Sequence, residues 1–101
     1  MKLTKELILS VIHEQKSQIE RFGVVKLVLF GSFARDEQSE SSDIDFLVEF
    51  SPNRGNYADF IKLKHFLEDT FNTRIDVVEI HSVREELKPY IFGGATYEAR
   101  I

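Results

Sequence analysis

Residues 31–45 read GSFARDEQSESSDID, and this stretch is the most informative part of the chain. Gly31 and Ser32 form a small turn, and Asp43 and Asp45 follow with one residue between them. Side chains at positions i and i+2 of a strand point to the same face, so the two carboxylates project side by side. Like charges at this spacing repel each other unless a cation lies between them. The pattern therefore predicts a divalent metal ion that holds a phosphate chain, and nucleotide chemistry is the leading hypothesis.

Apolar periodicity outside this stretch predicts alternating helices and strands. The predicted helices cover residues 4–22, 56–71 and 83–90, and the predicted strands cover 24–30, 44–50 and 74–80. This alternation favours a layered α/β sheet. The first two strands are joined by about a dozen residues, which leaves their relative direction, parallel or antiparallel, open. We expect residues 92–101 to be irregular, because they contain two glycines and no clear period.

Composition narrows the class of protein. With 101 residues, the chain is one domain, residues 1–101, or a domain that lacks its usual companion. The net charge of −4 and scattered basic residues argue against a nucleic-acid partner. No apolar run reaches the roughly 18 residues of a membrane helix, and the charged N-terminus does not resemble a secretory signal. The absence of cysteine fits a reducing compartment, so we predict a cytoplasmic protein without a membrane partner.

A third acidic side chain strengthens the metal hypothesis. Asp45 lies between Ile44 and Phe46, and Asp76 interrupts the β-branched run RIDVVEI, although aspartate is unfavourable in strands. If the two strands are neighbours, three carboxylates converge, which is roughly the ligand set of a site with two divalent ions. The alternatives are that Asp45 marks the wet face of an edge strand and that Asp76 is a solitary exposed acid.

Gly31, Ser32 and Arg35 are candidates for contact with phosphate. Glycine lets the backbone approach a ligand closely, and a serine at a helix N-terminus offers its hydroxyl beside free amide donors. The alternative is that the Gly-Ser pair only ends a strand and caps the next helix. Arg35 is either a charge at the helix end or a residue that reaches a phosphate.

The combination of GSFAR, a short polar loop, SDID and a later aspartate in a strand resembles the DNA polymerase beta-like nucleotidyltransferase superfamily. The closest likeness is to its minimal nucleotidyltransferases of about 100 residues, including MntA-like antitoxins. It implies a mixed β-sheet flanked by helices, with the Gly-Ser turn and the carboxylates at one edge. Asp36 departs from the pattern, because the family often has glycine after the arginine.

The resemblance also implies a reaction and the residues that perform it. ATP would be the substrate and Mg²⁺ the cofactor, with two ions expected. The implied metal-binding and catalytic residues are Asp43, Asp45 and Asp76, of which Asp76 is the natural general base. The implied nucleotide-binding residues are Gly31, Ser32 and Arg35.

The implied partner is a helical HEPN-type toxin, which minimal nucleotidyltransferases modify by attaching AMP to a tyrosine in a type VII toxin–antitoxin system. The small chain offers no second domain to grip a large acceptor, so the acceptor surface must come from the partner. Four apolar residues near the end either contact that partner or pack onto the core: Tyr90, Ile91, Phe92 and Tyr97. Two alternatives remain, namely a non-catalytic module that neutralises a partner by occlusion and an enzyme that transfers AMP to a small molecule.

Overall fold

A four-stranded mixed β-sheet organises the structure, a computed structural model that describes residues 2–101. The strands are β1 (Val24–Phe30), β2 (Ile44–Phe50), β3 (Ile75–Glu79) and β4 (Tyr97–Arg100). Their order in the sheet is β3-β2-β1-β4. Strand β2 runs parallel to β3, whereas β1 is antiparallel to both β2 and β4. This arrangement confirms the predicted α/β class with a mixed sheet, and it settles the direction of the first strand pair.

Three helices cover one face of the sheet and form the core with it. They are α1 (Lys5–Glu14), α2 (Lys16–Glu20) and α4 (Tyr57–Phe71), whereas the short helix α3 (Gly31–Ala34) joins β1 to the loop before β2. The buried helix residues Ile8, Ile19 and Leu63 pack in one cluster with strand residues such as Phe46. Each such side chain contributes about 1.5–3 kcal/mol when fully buried. Side chains alternate along β2, so Asp45 projects from the opposite face.

The N-terminal helical region begins where predicted but is divided. The Thr4 hydroxyl accepts a hydrogen bond from the Leu7 amide at 3.2 Å, so Thr4 caps α1. Predicted as one helix over residues 4–22, the region breaks at Gln15, whose φ and ψ of −98° and 13° lie outside the α-helical range. Because the chain turns there, Ile12 and Ile19 both reach the same core. Gly23 follows with a φ of +84°, as a helix-terminating glycine does.

The chain between β3 and β4 crosses from one edge of the sheet to the other. It contains two short 3₁₀ helices, Ile80–Ser82 and Glu85–Leu87, and then helix α5 (Lys88–Phe92). The predicted helix over 83–90 therefore lies across a 3₁₀ helix and the start of α5. Pro89 lies in the first turn of α5, so it favours the start of that helix rather than its end.

The prediction of an irregular tail over residues 92–101 is wrong. Residues Tyr97–Arg100 form β4, in which Tyr97 pairs with Leu29 and Arg100 with Lys26. The strand forms because β1 would otherwise leave its backbone groups unpaired at the edge of the sheet. Among residues 2–101, no helix combines the length and the apolar character needed to cross a membrane.

Candidate active site

Two of the predicted carboxylates lie side by side on adjacent strands. Asp45 of β2 and Asp76 of β3 are direct register partners in the parallel pair. Neighbouring strands are about 4.8 Å apart, and register partners project from the same face. The sequence alone suggested this pairing only on condition that the two strands were neighbours, and they are.

Asp43 precedes β2 by one residue and lies two positions before Asp45. Its negative charge acts on Asp45, so the third predicted carboxylate belongs to the same electrostatic environment. Asp43 and Asp45 are half-buried, whereas Asp76 is exposed. The site is thus an acidic patch on the sheet face opposite the helices, open to solvent on the Asp76 side.

Gly31 is shaped to fit Asp45. It follows Phe30, the residue of β1 that pairs with Asp45, and its φ is +79°. A Cβ atom at position 31 would overlap the Asp45 carboxylate. Glycine is needed here both for the left-handed backbone and for the close approach of the turn to the carboxylate.

The crowding of acids changes the acidity of Asp45. Desolvation by burial, followed by the negative charge of Asp76, its hydrogen bond and the charge of Asp43, raises the pKa of Asp45 to about 6. The Arg35 guanidinium acts in the opposite direction. The carboxylate pair is therefore costly to ionise without a cation nearby.

Arg35 and Ser32 flank this acidic patch on the turn after β1. Ser32 lies in α3, and Arg35 is the residue that ends this helix. The Arg35 Nε donates to Glu37 at 3.2 Å, and the aliphatic part of Arg35 lies against Gly94 of the crossing segment. Arg35 is exposed, and its positive charge acts on Asp45, so the residue lies near the position of an anionic ligand bound beside that carboxylate.

Asp36, which the sequence marks only as a departure from the family glycine, has a structural role. This residue has a φ of +57°, in the left-handed region that glycine prefers. Aspartate is one of the few other residues that tolerate it. The Asp36 carboxylate accepts from the Lys5 ammonium at 2.8 Å, and the Lys5 Nζ lies 5.1 Å from the centre of the Tyr97 ring. The departure from the family glycine thus keeps the turn geometry and adds a contact to α1.

The donor set fits a hard divalent cation only in part. Within residues 2–101, no group of three or more histidine, cysteine, aspartate or glutamate side chains is arranged to hold a metal ion. Asp45 and Asp76 form a pair of carboxylates on adjacent strands. Mg²⁺ is usually bound by one or two carboxylates together with water and substrate phosphate oxygens. The pair therefore fits an ion that is completed by a nucleotide.

Comparison with known proteins assigns the family. The nucleotidyltransferase domain model matches residues 12–100. Protein adenylyltransferase MntA of Thermococcus cleftensis is 34% identical over 96 residues, which cover 94% of this chain and 96% of that protein. The Methanocaldococcus jannaschii protein MJ0435, provisionally named a protein adenylyltransferase, is 40% identical over 75 residues, covering 74% of this chain and 80% of its own length.

Solved structures agree with this assignment. A structure provisionally described as a minimal nucleotidyltransferase has a TM-score of 0.76 at 31% identity and covers 92% of this chain and 94% of its own. The complex of tri-AMPylated Shewanella oneidensis HEPN toxin with its MNT antitoxin has a TM-score of 0.60 at 16% identity, covering 89% and 70%, and shares the fold. The chain therefore belongs to the nucleotidyltransferase domain family and is a minimal nucleotidyltransferase, as its GSFAR and SDID motifs predicted.

Proposed function

We propose that this chain is an Mg²⁺-dependent adenylyltransferase that moves AMP from ATP to a tyrosine hydroxyl of a HEPN-type toxin, and so acts as a type VII antitoxin. Two curated relatives that cover most of the chain carry the name protein adenylyltransferase. A structure of the same fold contains a tri-AMPylated HEPN toxin with its MNT antitoxin. A related toxin–antitoxin structure contains AMP-PNP, which supports an adenine nucleotide as the substrate.

The observation that carries the proposal is the register pair of Asp45 and Asp76 beside Gly31. In this assignment, Asp45 and Asp76 would hold the metal together with nucleotide oxygens, and Asp43 would add a third carboxylate. The turn at Gly31 and Ser32 receives the triphosphate, and Arg35 adds a positive charge from the side of the crossing segment. When bound, Mg²⁺ would neutralise charge on the phosphate oxygens.

The transfer itself requires one proton acceptor from the chain. The acceptor hydroxyl oxygen attacks the α-phosphorus of ATP, and the bond from that phosphorus to the bridging oxygen breaks, so that pyrophosphate leaves. We assign the proton of the hydroxyl to Asp76, because it is the exposed member of the pair and is therefore the carboxylate that an acceptor can reach from solvent.

The surface near the C-terminal segment is the place where a partner would contact the chain. Tyr90 and Phe92 of α5 are exposed, whereas Tyr97 packs against the core, so the predicted contact residues divide into two groups.

The described residues share one sheet and one core, which supports a single domain over residues 1–101. The proposed setting is the cytoplasm, where ATP is available.

The test is to incubate the chain with ATP, Mg²⁺ and the helical protein encoded beside it, and to measure the mass of that partner. We expect the partner to gain one or more adenylyl groups. D45N and D76N should abolish the gain while leaving the circular dichroism spectrum unchanged. D69N is the matched control, because Asp69 is exposed on α4, away from the carboxylate pair. An unmodified partner would contradict the proposal.

The same variants separate transfer from occlusion. If D45N and D76N still neutralise the partner at equal strength, the chain acts as a binding module and the enzymatic proposal is wrong. If neutralisation is lost together with AMP transfer, the chemistry is required.

A further inference from the structure

Strand β4 forms one edge of the sheet, and its outer side is open. It pairs with β1 on one side, and among residues 2–101 no strand pairs with it on the other. A groove with a volume of about 460 Å³ lies beside it, lined by Leu9 and His13 of α1, Lys16 of α2 and residues 96–100. Such an edge is a template for a further strand.

The direction of the backbone groups along β4 follows from its pairing with β1. The Ile101 amide donates to the Val25 carbonyl at 2.9 Å, so residue 101 points its backbone groups toward β1. These groups alternate along an antiparallel strand. Tyr97 and Ala99 therefore also face β1, and the backbone groups of Glu98 and Arg100 point outward, away from the sheet.

The two residues with outward backbone groups carry opposite charges on the same face of the sheet. Glu98 is half-exposed and Arg100 is almost fully exposed, and the two side chains lie 3.7 Å apart within the strand. Lys26 of β1 lies 3.1 Å from Glu98 and fixes that carboxylate from the inner side. Within residues 2–101, Arg100 contacts only the neighbouring Glu98 of its own strand and no charged group of another strand, so a carboxylate across the edge can pair with it.

We propose that β4 is a self-association edge, which pairs antiparallel with the β4 of a second copy about a twofold axis at Ala99. In this register Glu98 lies opposite Arg100 of the second copy, and Arg100 lies opposite its Glu98. These positions carry the outward backbone groups, so each such pair exchanges both N–H···O bonds. Opposite charges at directly paired positions add to the stability of an antiparallel ladder. The sequence of this edge is thus complementary to itself in charge and in hydrogen bonding.

The pairing would join two sheets into one continuous sheet with the strand order β3-β2-β1-β4-β4-β1-β2-β3. A twofold axis at an antiparallel strand pair is perpendicular to the sheet, as in other isologous contacts of this kind. The acidic patches of both copies would then open on the same side of the joined sheet. The inference does not depend on the proposed reaction.

Sedimentation equilibrium of the purified chain, at concentrations up to about 1 mM, tests the proposal, since a millimolar dissociation constant is still detected there. We expect a dimer whose population rises with concentration and falls with added salt. R100E and E98R should each be monomeric, because each places like charges opposite one another. An equimolar mixture of the two variants should dimerise again, because glutamates of one chain then face arginines of the other.

R84E serves as the control, because it makes the same change in charge on the exposed crossing segment, away from β4. It should dimerise like the natural chain. Thermal unfolding by circular dichroism checks that each variant is folded, and the E98R/R100E double variant, with the charges exchanged, should regain the dimer. A monomeric natural chain at every concentration, or an R100E variant that dimerises as well as the natural chain, would overturn the proposal.

Discussion

Gly31 and Asp45 share a space that admits only one side chain. The glycine begins the turn after β1 with a φ of +79°, and the carboxylate of Asp45 fills the position that a Cβ atom would take. The turn that we assign to the triphosphate and the carboxylate that we assign to the metal are therefore in direct contact. The Gly-Ser and Asp-x-Asp motifs form one structural unit, although 11 residues, 32–42, separate Gly31 from Asp43.

Replacing Gly31 by alanine should disrupt this unit. The new Cβ must displace the Asp45 side chain or the turn, and we expect transfer activity to fall by about 100-fold, the usual effect of a displacement near 1 Å. The forced left-handed alanine should also lower the free energy of unfolding by about 1–3 kcal/mol. Urea denaturation and an AMP-transfer assay measure the two effects. G94A is the control, because a Cβ at position 94 makes only an ordinary contact, 3.6 Å from Arg35.

The local part of this unit could be predicted from the sequence, but its assembly could not. Alternation places Asp43 and Asp45 on one face, and the β-branched runs predict all three strands that carry or flank the site. The register that brings Asp76 to Asp45 depends on the pairing of two strands that are separated by 24 residues, 51–74. Long-range pairing of this kind has no local signal.

Strand β4 is a second feature of the fold that local sequence patterns do not predict. Its four residues, Tyr97–Arg100, are too few for periodicity to separate a strand from a loop. They are extended because β1 offers a free edge, which is a property of the fold. The left-handed backbone of Asp36 could be predicted in part. An aspartate that stands where the family often has glycine indicates a positive φ, because aspartate tolerates that region better than most residues.

The acidity of Asp45 should make the metal-free protein less stable as pH rises. The pKa of Asp45 is about 6 in the folded chain, against an ordinary value of 3.8 for an aspartate. Between these pH values the folded state therefore binds more protons than the unfolded state. The free energy of unfolding should therefore fall from about pH 4 to about pH 6 and stay lower above that range. D45N resembles the protonated acid, so in EDTA it should be more stable than the natural chain at pH 7.5 and nearly equal to it at pH 4.

Urea midpoints of both proteins at the two pH values measure this difference. Mg²⁺ with a non-hydrolysable ATP analogue should raise the midpoint of the natural chain at pH 7.5, because bound cations favour ionised carboxylates. The same addition should leave D45N nearly unchanged. An equal response of the two proteins would contradict the assignment of Asp45 to the metal site.

Variants of Asp36 separate the free-energy cost of its left-handed backbone from the contribution of its ion pair with Lys5. D36G and D36A both lose the contact with Lys5, and only D36A must hold a Cβ in the left-handed region. We expect D36A to be less stable than D36G by about 1 kcal/mol, within the usual cost of that region for a residue with a Cβ. Guanidinium or urea unfolding of the two variants gives the value. If D36A equals D36G in stability, the backbone at this position is not left-handed in solution.

Asp59 should produce the opposite pH dependence from Asp45, because its partners favour the ionised form. Hydrogen bonds from Arg54 at 3.0 Å and from the Gly55 amide at 3.0 Å lower the pKa of Asp59 to about 2. Arg54 also donates to the Arg21 carbonyl at 2.9 Å, so this contact fixes the turn before α4 to the end of the N-terminal helices. The stabilisation by Asp59 is present in full above its unfolded pKa near 3.8 and is lost as pH falls through about 2.

D59N should accordingly lower the melting temperature at pH 7, and its difference from the natural chain should shrink between pH 4 and pH 2. D69N, which removes an exposed acid from the same helix, should change the melting temperature little at either pH. Thermal unfolding followed by circular dichroism over this pH series provides the measurement. A D59N difference that persists unchanged at pH 2 would show that packing of the turn, rather than the ionised carboxylate, supplies the stability.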